Sequence, residues 1–368
     1  MPKVTVLMTV YNGERHLREA VESIVHQTFQ DFEFLIINDG STDGTRELVL
    51  SYSDPRIRLL DNGHNLGQTR SLNRGLELAE GQYIARQDAD DISEPERLAR
   101  QVAFLETHTE VALLGTWYTK IDTEGTPLGE RRLPCNSIQV RWSLLFFCPF
   151  VHSAVMFRKS AVLEQIGFYN EAFVYAQDYE LWSRIARCLL VANLGEYLVR
   201  YRITPWSMTS TYGATVHDEE LRIRNANLGH LLGYDKAQRL MSNKEQVTSM
   251  TSLLLGNDTG LQPEEAIAAA EDILRLHFAF CEYYEIGSKE CRTHRAELCS
   301  RIGRRIVEIA DNRFDGDLHD AQPLLVKAYR AYWPIVSVKS LIYLSLKLMT
   351  GSTLFKDHQV LCSKKRVN

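Results

Sequence analysis

Neither sign of charge dominates this sequence: 42 lysines and arginines stand against 47 aspartates and glutamates, a formal net charge of −5. A protein built to hold nucleic acid usually shows a basic face, so that partner class is set aside. No charged segment, apolar run and small-residue cleavage site follow one another at the start. Met1-Pro2-Lys3 leads straight into a strand-like run, and no secretory signal is expected. The seven cysteines, at 135, 148, 188, 281, 291, 299 and 362, are odd in number and form no C-x-x-C pair. Reduced thiols in a cytosolic compartment are the simpler reading, and the sequon Asn257-Asp258-Thr259 is then a chance match. Phosphate fingerprints are missing too: there is no G-x-G-x-x-G after the first strand and no G-x-x-x-x-G-K-[ST]. Their absence argues against dinucleotide or P-loop binding, and H-E-x-x-H and G-x-S-x-G are equally absent.

What is present is a globular chain, 45% hydrophobic and 24% charged, which excludes disorder. Its 368 residues predict two domains. The first half alternates short β-rich runs with helical spacing. Val4–Met8, Phe32–Ile37, Ile57–Leu60 and Tyr83–Arg86 read as strands. Leu17, Ala20, Val21, Ile24 and Val25 recur at helix spacing, as do Leu72, Leu76 and Ala79. Thr42 is placed to cap a helix from near Gly44, and Ser93, with Pro95 and Glu96 behind it, to cap another in a capping-box pattern. This order predicts an α/β fold with a mainly parallel sheet covered on both faces. Val111–Thr116, Tyr118–Ile121 and Val155–Phe157 read as further strands, Thr123-Glu124-Gly125 as a turn and Glu180–Cys188 as a helix. Beyond a Pro/Ser/Thr/Gly cluster at 205–213, helical stretches are expected at 216–234, 262–282, 288–310 and 320–347. The domains are therefore drawn at 1–208 and 209–368, the second mainly helical.

Polar residues gather at successive strand ends: Thr9-Val10-Tyr11-Asn12, Asn38 to Thr45, Asn65 to Arg70, and Gln87-Asp88-Ala89-Asp90-Asp91. Ligands of open α/β sheets bind outside the carboxyl ends of the strands, so four such clusters can converge on one crevice. Asp39 and Asp43, taken singly, are as well explained as helix caps. Asp88, Asp90 and Asp91 repel one another unless a cation offsets them. In extended chain 88 and 90 point to the same side, with Ala89 opposite. That arrangement suits Mg²⁺ or Mn²⁺, which take oxygen ligands and leave positions for phosphate and water. The competing reading is a solvated acidic loop, and metal binding is preferred because the cluster ends a strand.

The runs Val4 to Asn12, Ile37 to Thr45 and Asp88-Ala89-Asp90-Asp91 resemble the family 2 glycosyltransferases of GT-A fold. The resemblance continues through Asn65-Leu66-Gly67, Arg70, Val151-His152-Ser153-Ala154-Val155-Met156-Phe157-Arg158 and Gln177-Asp178-Tyr179-Glu180-Leu181-Trp182-Ser183-Arg184. It covers roughly residues 3–205 and implies inverting transfer of a sugar from a nucleotide-diphosphate sugar to an acceptor hydroxyl. It also implies roles. Thr9, Tyr11 and Asp39 hold the nucleoside, with Asp39 suited to uracil N3–H. Arg70 lies near the nucleotide. Asp88 contacts ribose or metal-bound water, and Asp90 ligates the Mn²⁺ or Mg²⁺. Asn12, Ala89 and His152 belong to the same donor-binding set, and Asp178 is the general base. For His152 a buried, satisfied histidine is an equal alternative. Trp182 reads as core, while Tyr175 and Trp206 are candidate sugar platforms on no stronger ground than packing.

Two departures stand out. Thr9 replaces a usual proline, and Gln177 a usual glutamate, which bears on acceptor binding. No Q-x-x-R-W follows Asp178, which favours single addition over processive synthesis. The expected partners are a nucleotide-diphosphate sugar, preferably UDP-linked, and a saccharide or lipid-linked saccharide acceptor in surface polysaccharide or glycoconjugate synthesis. A sugar nucleotidyltransferase and a non-catalytic nucleotide-sugar-binding module are the alternatives. The second domain is left with acceptor choice, homo-oligomerisation or membrane contact. Its apolar stretch Trp333–Leu354 carries Lys339 and Lys347, a weak spanning candidate. Internal packing is slightly preferred there over an interfacial helix aided by Lys364-Lys365-Arg366. The expected location is cytoplasmic, with a peripheral place on the inner membrane face under the second reading.

Overall fold

The computed structural model describes residues 1–205, 207, 211–255 and 261–313. Contacts divide the chain into two compact units, with the division between Leu228 and Gly229. Trp206, the sequon at 257–259, the stretches 320–347 and 333–354 and the basic run 364–366 lie outside the described residues.

The first unit is built on one sheet. Its strands are β1 (Val4–Val10), β2 (Phe32–Asn38), β3 (Ile57–Asp61), β4 (Tyr83–Asp88), β5 (Ile92–Ser93), β6 (Val111–Ile121), β7 (Pro127–Arg131), β8 (Met156–Arg158) and β9 (Leu190–Arg202). The order is β3-β2-β1-β4-β8-β6-β9-β5, with β7 paired on β6. The half built from β1 to β4 is parallel. Beyond it β8 runs antiparallel to both β4 and β6, so the sheet as a whole is mixed. Helices α1 (Glu14–Val25), α2 (Thr45–Leu50), α3 (Gln68–Leu78), α4 (Arg97–Thr107), α5 (Ser137–Ser143), α6 (Lys159–Gln165) and α7 (Gln177–Cys188) flank it.

Alternation along β1 explains the two cores. Val4, Val6 and Met8 pack on one face with Leu17, Val21 and Ile24 of α1 and Leu98 and Leu105 of α4. Leu7 faces the other way, with Leu72 and Leu76 of α3 and Leu181, Trp182 and Ile185 of α7. Side chains of a strand alternate between faces, so a strand covered on both sides must be apolar at every position. Each fully buried aliphatic side chain contributes roughly 1.5–3 kcal/mol. Trp182 is fully buried, as its reading as core requires.

Register aligns the polar strand ends. Thr9 pairs with Asp88 across β1 and β4, and Val10 with Asn38 across β1 and β2. The clusters that follow these strands therefore leave the sheet at one edge.

Three local expectations are corrected. Ser93 does not cap α4: it forms strand β5 with β9, donates to Gln87 Oε1 at 2.7 Å, and leaves Glu96 before the helix. The buried amide of Gln87 outcompetes the cap. Residues 111–121 form one strand, with register irregularities on β9 around Trp117. Thr42 likewise is not the cap of α2, whose N-cap is Gly44.

The helix α8 (Gly213–Leu232) spans the division between the units. The second unit continues with α9 (Tyr234–Ser242), α10 (Lys244–Leu255), α11 (Pro263–Tyr283) and α12 (Ser288–Arg313). Ala266, Ala270, Ile273 and Phe280 of α11 are buried, as are Leu298, Ile302 and Ile306 of α12. No helix among the described residues is long and apolar enough to cross a membrane. One pair of cysteines departs from the expected separate thiols: Cys281 and Cys291 are joined, because the short turn 284–287 folds α12 back along α11.

Candidate active site

The loops after β1 and β2 are laced together. Asn12, at φ 51°, uses Oδ1 to accept from Thr42 N at 2.8 Å, while its own N–H donates to Ser41 Oγ at 3.0 Å. Gly13 N–H donates to Thr45 Oγ1, Glu14 N–H to Asp43 Oδ2, and Gly44 N–H to the Glu14 carboxylate. Burial pushes the Asp43 carboxyl up, but the hydrogen bonds from Thr45 and Glu14 outweigh it and hold it below its ordinary value. Tyr11, beside this lacing, is half exposed. Thr9 lies one turn of the pleat deeper, and its buried Oγ1 has no hydrogen-bond partner among the described residues.

Asp39 is buried and holds the third loop. It accepts from Asn62 Nδ2 at 2.7 Å, Leu66 N at 2.9 Å and Gly67 N at 3.0 Å. A carboxylate has about four acceptor sites, so one remains. The approach is close enough to demand glycine at 40. Its φ is +72°, and an added Cβ would lie 2.5 Å from the carbonyl carbon of His64. Arg70, on the first turn of α3, is exposed and meets Glu171 at 3.1 Å.

The acidic cluster at the end of β4 is held asymmetrically. Arg86, fully buried in the strand, donates to Leu7 O, Gln87 O, Asp88 Oδ1 and His152 Nε2. Ser153 Oγ lies 2.9 Å from Asp88 Oδ2 and 2.5 Å from Asp91 Oδ2. The one hydroxyl hydrogen is shared between the two carboxyls. Burial, then Asp90 and Asp88, push Asp91 well above the carboxylate range, and the hydrogen bond from Ser153 acts the other way. Burial acts on Asp88 in the same direction, but Arg86 reverses it and holds Asp88 ionised. The other Asp91 oxygen accepts from Arg202 N at 2.7 Å. Arg202, also buried, fixes the turn by donating to Asp90 O, Asp122 O, Thr123 O and Glu19.

Asp90 is left over. Among the described residues no other residue donates to its carboxylate, and burial together with Asp88 raises it to about 6. A divalent cation would relieve that repulsion, and oxygen donors from Asp90 and Asp88 fit a hard ion. Ala89, between them, is half-buried against the α1 side of the sheet.

His152 opens a short 3-10 turn, His152–Ala154. Its Nε2 accepts from Arg86 Nε at 3.0 Å and lies 3.1 Å from Tyr169 Oη; Nδ1 is 3.8 Å from Asp88 Oδ1. Burial and Arg86 depress it to about 3, so it is a neutral imidazole bound into the support of Asp88.

Asp178 is the second residue of α7. Burial, with a contribution from Asp88, raises it to about 6. Its segment is anchored from two sides. Glu219 of α8, itself buried, accepts from Val174 N at 2.9 Å, Tyr175 N at 2.9 Å and Ala176 N at 2.8 Å. From α3, Thr69 Oγ1 donates to Phe173 O and Asn73 exchanges hydrogen bonds with Tyr169. Asn227 of α8 reaches Ser183 Oγ and Leu144 O. Gln177 is buried: its amide lies beside Gln68, and its NH₂ faces the carbonyls of Val174 and Tyr175 when oriented to donate. A glutamate would set negative charge against those carbonyls. Tyr175 stacks on Tyr212 at 4.7 Å.

The fold thus gathers Thr9, Asp88, Ala89, Asp90 and His152 at one sheet edge, with Asp178 close enough to feel Asp88. Asn12 and Asp39 are engaged mainly in holding loops, and Arg70 pairs outward. Sequence reasoning missed Arg86, Arg202, Ser153 and Glu219. An arginine inside the apolar run Tyr83–Arg86 was a usable signal. Glu219 carried none, since it sits in an ordinary helical pattern.

The profile of glycosyl transferase family 2 matches residues 5–165. A protein of Haemophilus influenzae named as a glycosyltransferase is 32% identical over 241 residues, 63% of this chain and 75% of that protein. The amylovoran biosynthesis glycosyltransferase AmsE of Erwinia amylovora is 32% identical over 203 residues, 54% of this chain and 75% of its own length. Among solved structures, S. aureus TarS 1-349 in complex with UDP-GlcNAc superposes with a TM-score of 0.53 at 18% identity, covering 89% of each chain.

Proposed function

Because this chain belongs to glycosyl transferase family 2 and is a glycosyltransferase with a nucleotide-sugar-binding fold, we propose that it is an inverting, divalent-metal-dependent enzyme using a UDP-sugar. Membership leaves the nucleotidyltransferase and the non-catalytic module without support. The observation that carries the proposal is the Asp90 carboxylate, half-buried beside Asp88 at the C-terminal edge of the sheet and met by no donor from another of the described residues.

Each residue has a physical task. Asp90, with Asp88, would hold Mn²⁺ or Mg²⁺, which when bound offsets charge growing on the leaving diphosphate. Arg86 and Ser153 keep Asp88 ionised and oriented, and His152 accepts from Arg86 behind them. The remaining acceptor site of Asp39 suits a base N–H such as uracil N3–H, and Thr9 Oγ1 is free to meet the nucleoside. Tyr11 is exposed for the base or ribose, and Asn12 shapes that loop. Arg70 is exposed, and release from Glu171 would free it to meet phosphate. Ala89 leaves room between the two acids.

Asp178 takes the proton of the acceptor hydroxyl as that oxygen attacks the anomeric carbon and the bond to the nucleotide diphosphate breaks. A raised carboxyl is a better base than an ordinary one while still ionised at neutral pH. One displacement by an acceptor activated by a single base gives inversion.

The name of AmsE supports an acceptor in polysaccharide biosynthesis, and the UDP-GlcNAc complex of TarS supports a UDP-sugar donor. The boundary proposed for the catalytic domain near residue 208 extends to about 228, where Glu219 and Asn227 still serve it. The second unit is proposed to contact the acceptor, a second copy or the inner membrane face. A donor screen with Mn²⁺ tests the reading: UDP release from one UDP-sugar is expected, lost on chelation. Preference for GDP- or dTDP-sugars would overturn the base assignment, and full turnover in chelator the metal.

A further inference from the structure

The helical hairpin of the second unit brings three metal-ligating side chains together, with His294 beside His277. His277 and Cys281 are spaced i,i+4 on α11, and Cys291 and His294 i,i+3 on α12, so each pair shares a helix face. His277, Cys281 and Cys291 each bring a ligand atom to within 4.8 Å of the others. His277 Nε2 lies 3.1 Å from His294 Nδ1 and 3.6 Å from Cys281 Sγ. His277 is 2% exposed, His294 7% and Cys281 8%.

We propose that His277, Cys281, Cys291 and His294 form a structural Zn²⁺ site that staples α11 to α12. Zinc takes tetrahedral sulfur and nitrogen ligands at about 2.3 and 2.0–2.1 Å, which sets N–N and N–S separations of about 3.3 and 3.6 Å. The spacings from His277 to His294 and to Cys281 are close to these, while the two sulfurs stand in bonding contact and must part for both to ligate. Four protein ligands close the site, as structural zinc requires, and leave no position for substrate. Two thiolates balance the charge of the ion, so the buried complex is neutral.

Binding converts two thiols to thiolates and releases two protons to solvent, with no change of oxidation state. The disulfide of Cys281 and Cys291 is the competing state of the same sulfurs, since a disulfide offers no thiolate.

The test uses the full chain, purified with a thiol reductant and a tag that binds no metal. Elemental analysis should find about one zinc per chain. It should fall at least fivefold in Cys291→Ser and His294→Gln and stay unchanged in Cys299→Ser. Because those variants can misfold, wild-type protein stripped of zinc and titrated with Co²⁺ supplies a second readout: visible tetrahedral bands with sulfur-to-cobalt charge transfer are expected, and zinc should displace them. Absence of zinc and of cobalt bands in reduced wild-type protein overturns the proposal. So does a Cys281–Cys291 disulfide peptide that persists after purification with reductant.

Discussion

Replacing Asp178 with asparagine should abolish transfer and stabilise the protein at once. The side chain keeps its shape, and asparagine Oδ1 can still accept from Tyr179 N as Asp178 does at 2.7 Å. What changes is charge. Burial, and then Asp88, raise the folded-state Asp178 from 3.8 to about 6. Between those values the native chain binds the proton more tightly than the unfolded chain, so stability falls as pH rises through this window. The penalty is complete above about 6 and absent below 3.8. Two units at about 1.36 kcal/mol each give a ceiling of roughly 3 kcal/mol, and partial solvent access lowers it to roughly 1–2 kcal/mol. For a unit of this size that is a rise in Tm of roughly 2–8 °C. Thermal unfolding of both proteins at pH 7.5 and pH 4 reads it. The gain should appear at the higher pH and shrink toward zero at the lower. UDP release should drop at least about 100-fold, and wild-type kcat should rise with pH up to about 6 and then level. An asparagine variant no more stable at pH 7.5, or equally stabilised at both pH values, would refute the electrostatic account. Retained turnover would refute the role as base.

Asp90→Ala should remove donor turnover by at least about 100-fold without lowering Tm, because it relieves repulsion within the acidic cluster and breaks no hydrogen bond to another residue; metal-dependent UDP binding by calorimetry should vanish with it. Arg86→Met should cost roughly 3–5 kcal/mol in urea unfolding, since it strands Asp88 and two backbone carbonyls in the interior. Glu219→Ala leaves three N–H groups before α7 without their acceptor, that of Ala176 buried, a loss of roughly 1–3 kcal/mol locally. It should lower kcat and speed proteolysis at 173–176 while UDP binding holds, and unchanged kcat would show that the anchor does not position Asp178.

Much of the fold was legible because its signals are local. Apolar runs at Val4, Phe32 and Tyr83 are buried on both faces, so composition alone marks them as strands. Strand ends carry the polar residues because ligand-facing loops begin there. Ser93 misled because a cap depends only on neighbours, whereas the Gln87 amide that captures its hydroxyl reaches it through the fold. Gln177 stood out in the sequence only for the charge it lacks, while its burial against Val174 and Tyr175 is a tertiary fact.

By itself the sequence determined the doubly covered sheet, the order of the polar clusters and the family, since periodicity and motif spacing are properties of neighbours along the chain. It also determined which acids are present. Tertiary structure decided what each acid is. Arg86 holds Asp88 low against its burial, burial and the neighbouring acids raise Asp91, and Asp90 receives no hydrogen bond from another described residue, although the three are near neighbours in one short run. It decided equally that Glu219, far along the chain, holds the segment ahead of Asp178, and that two helices bring His277, Cys281, Cys291 and His294 together. Charge and ligation depend on distances through space, and only the folded chain sets those.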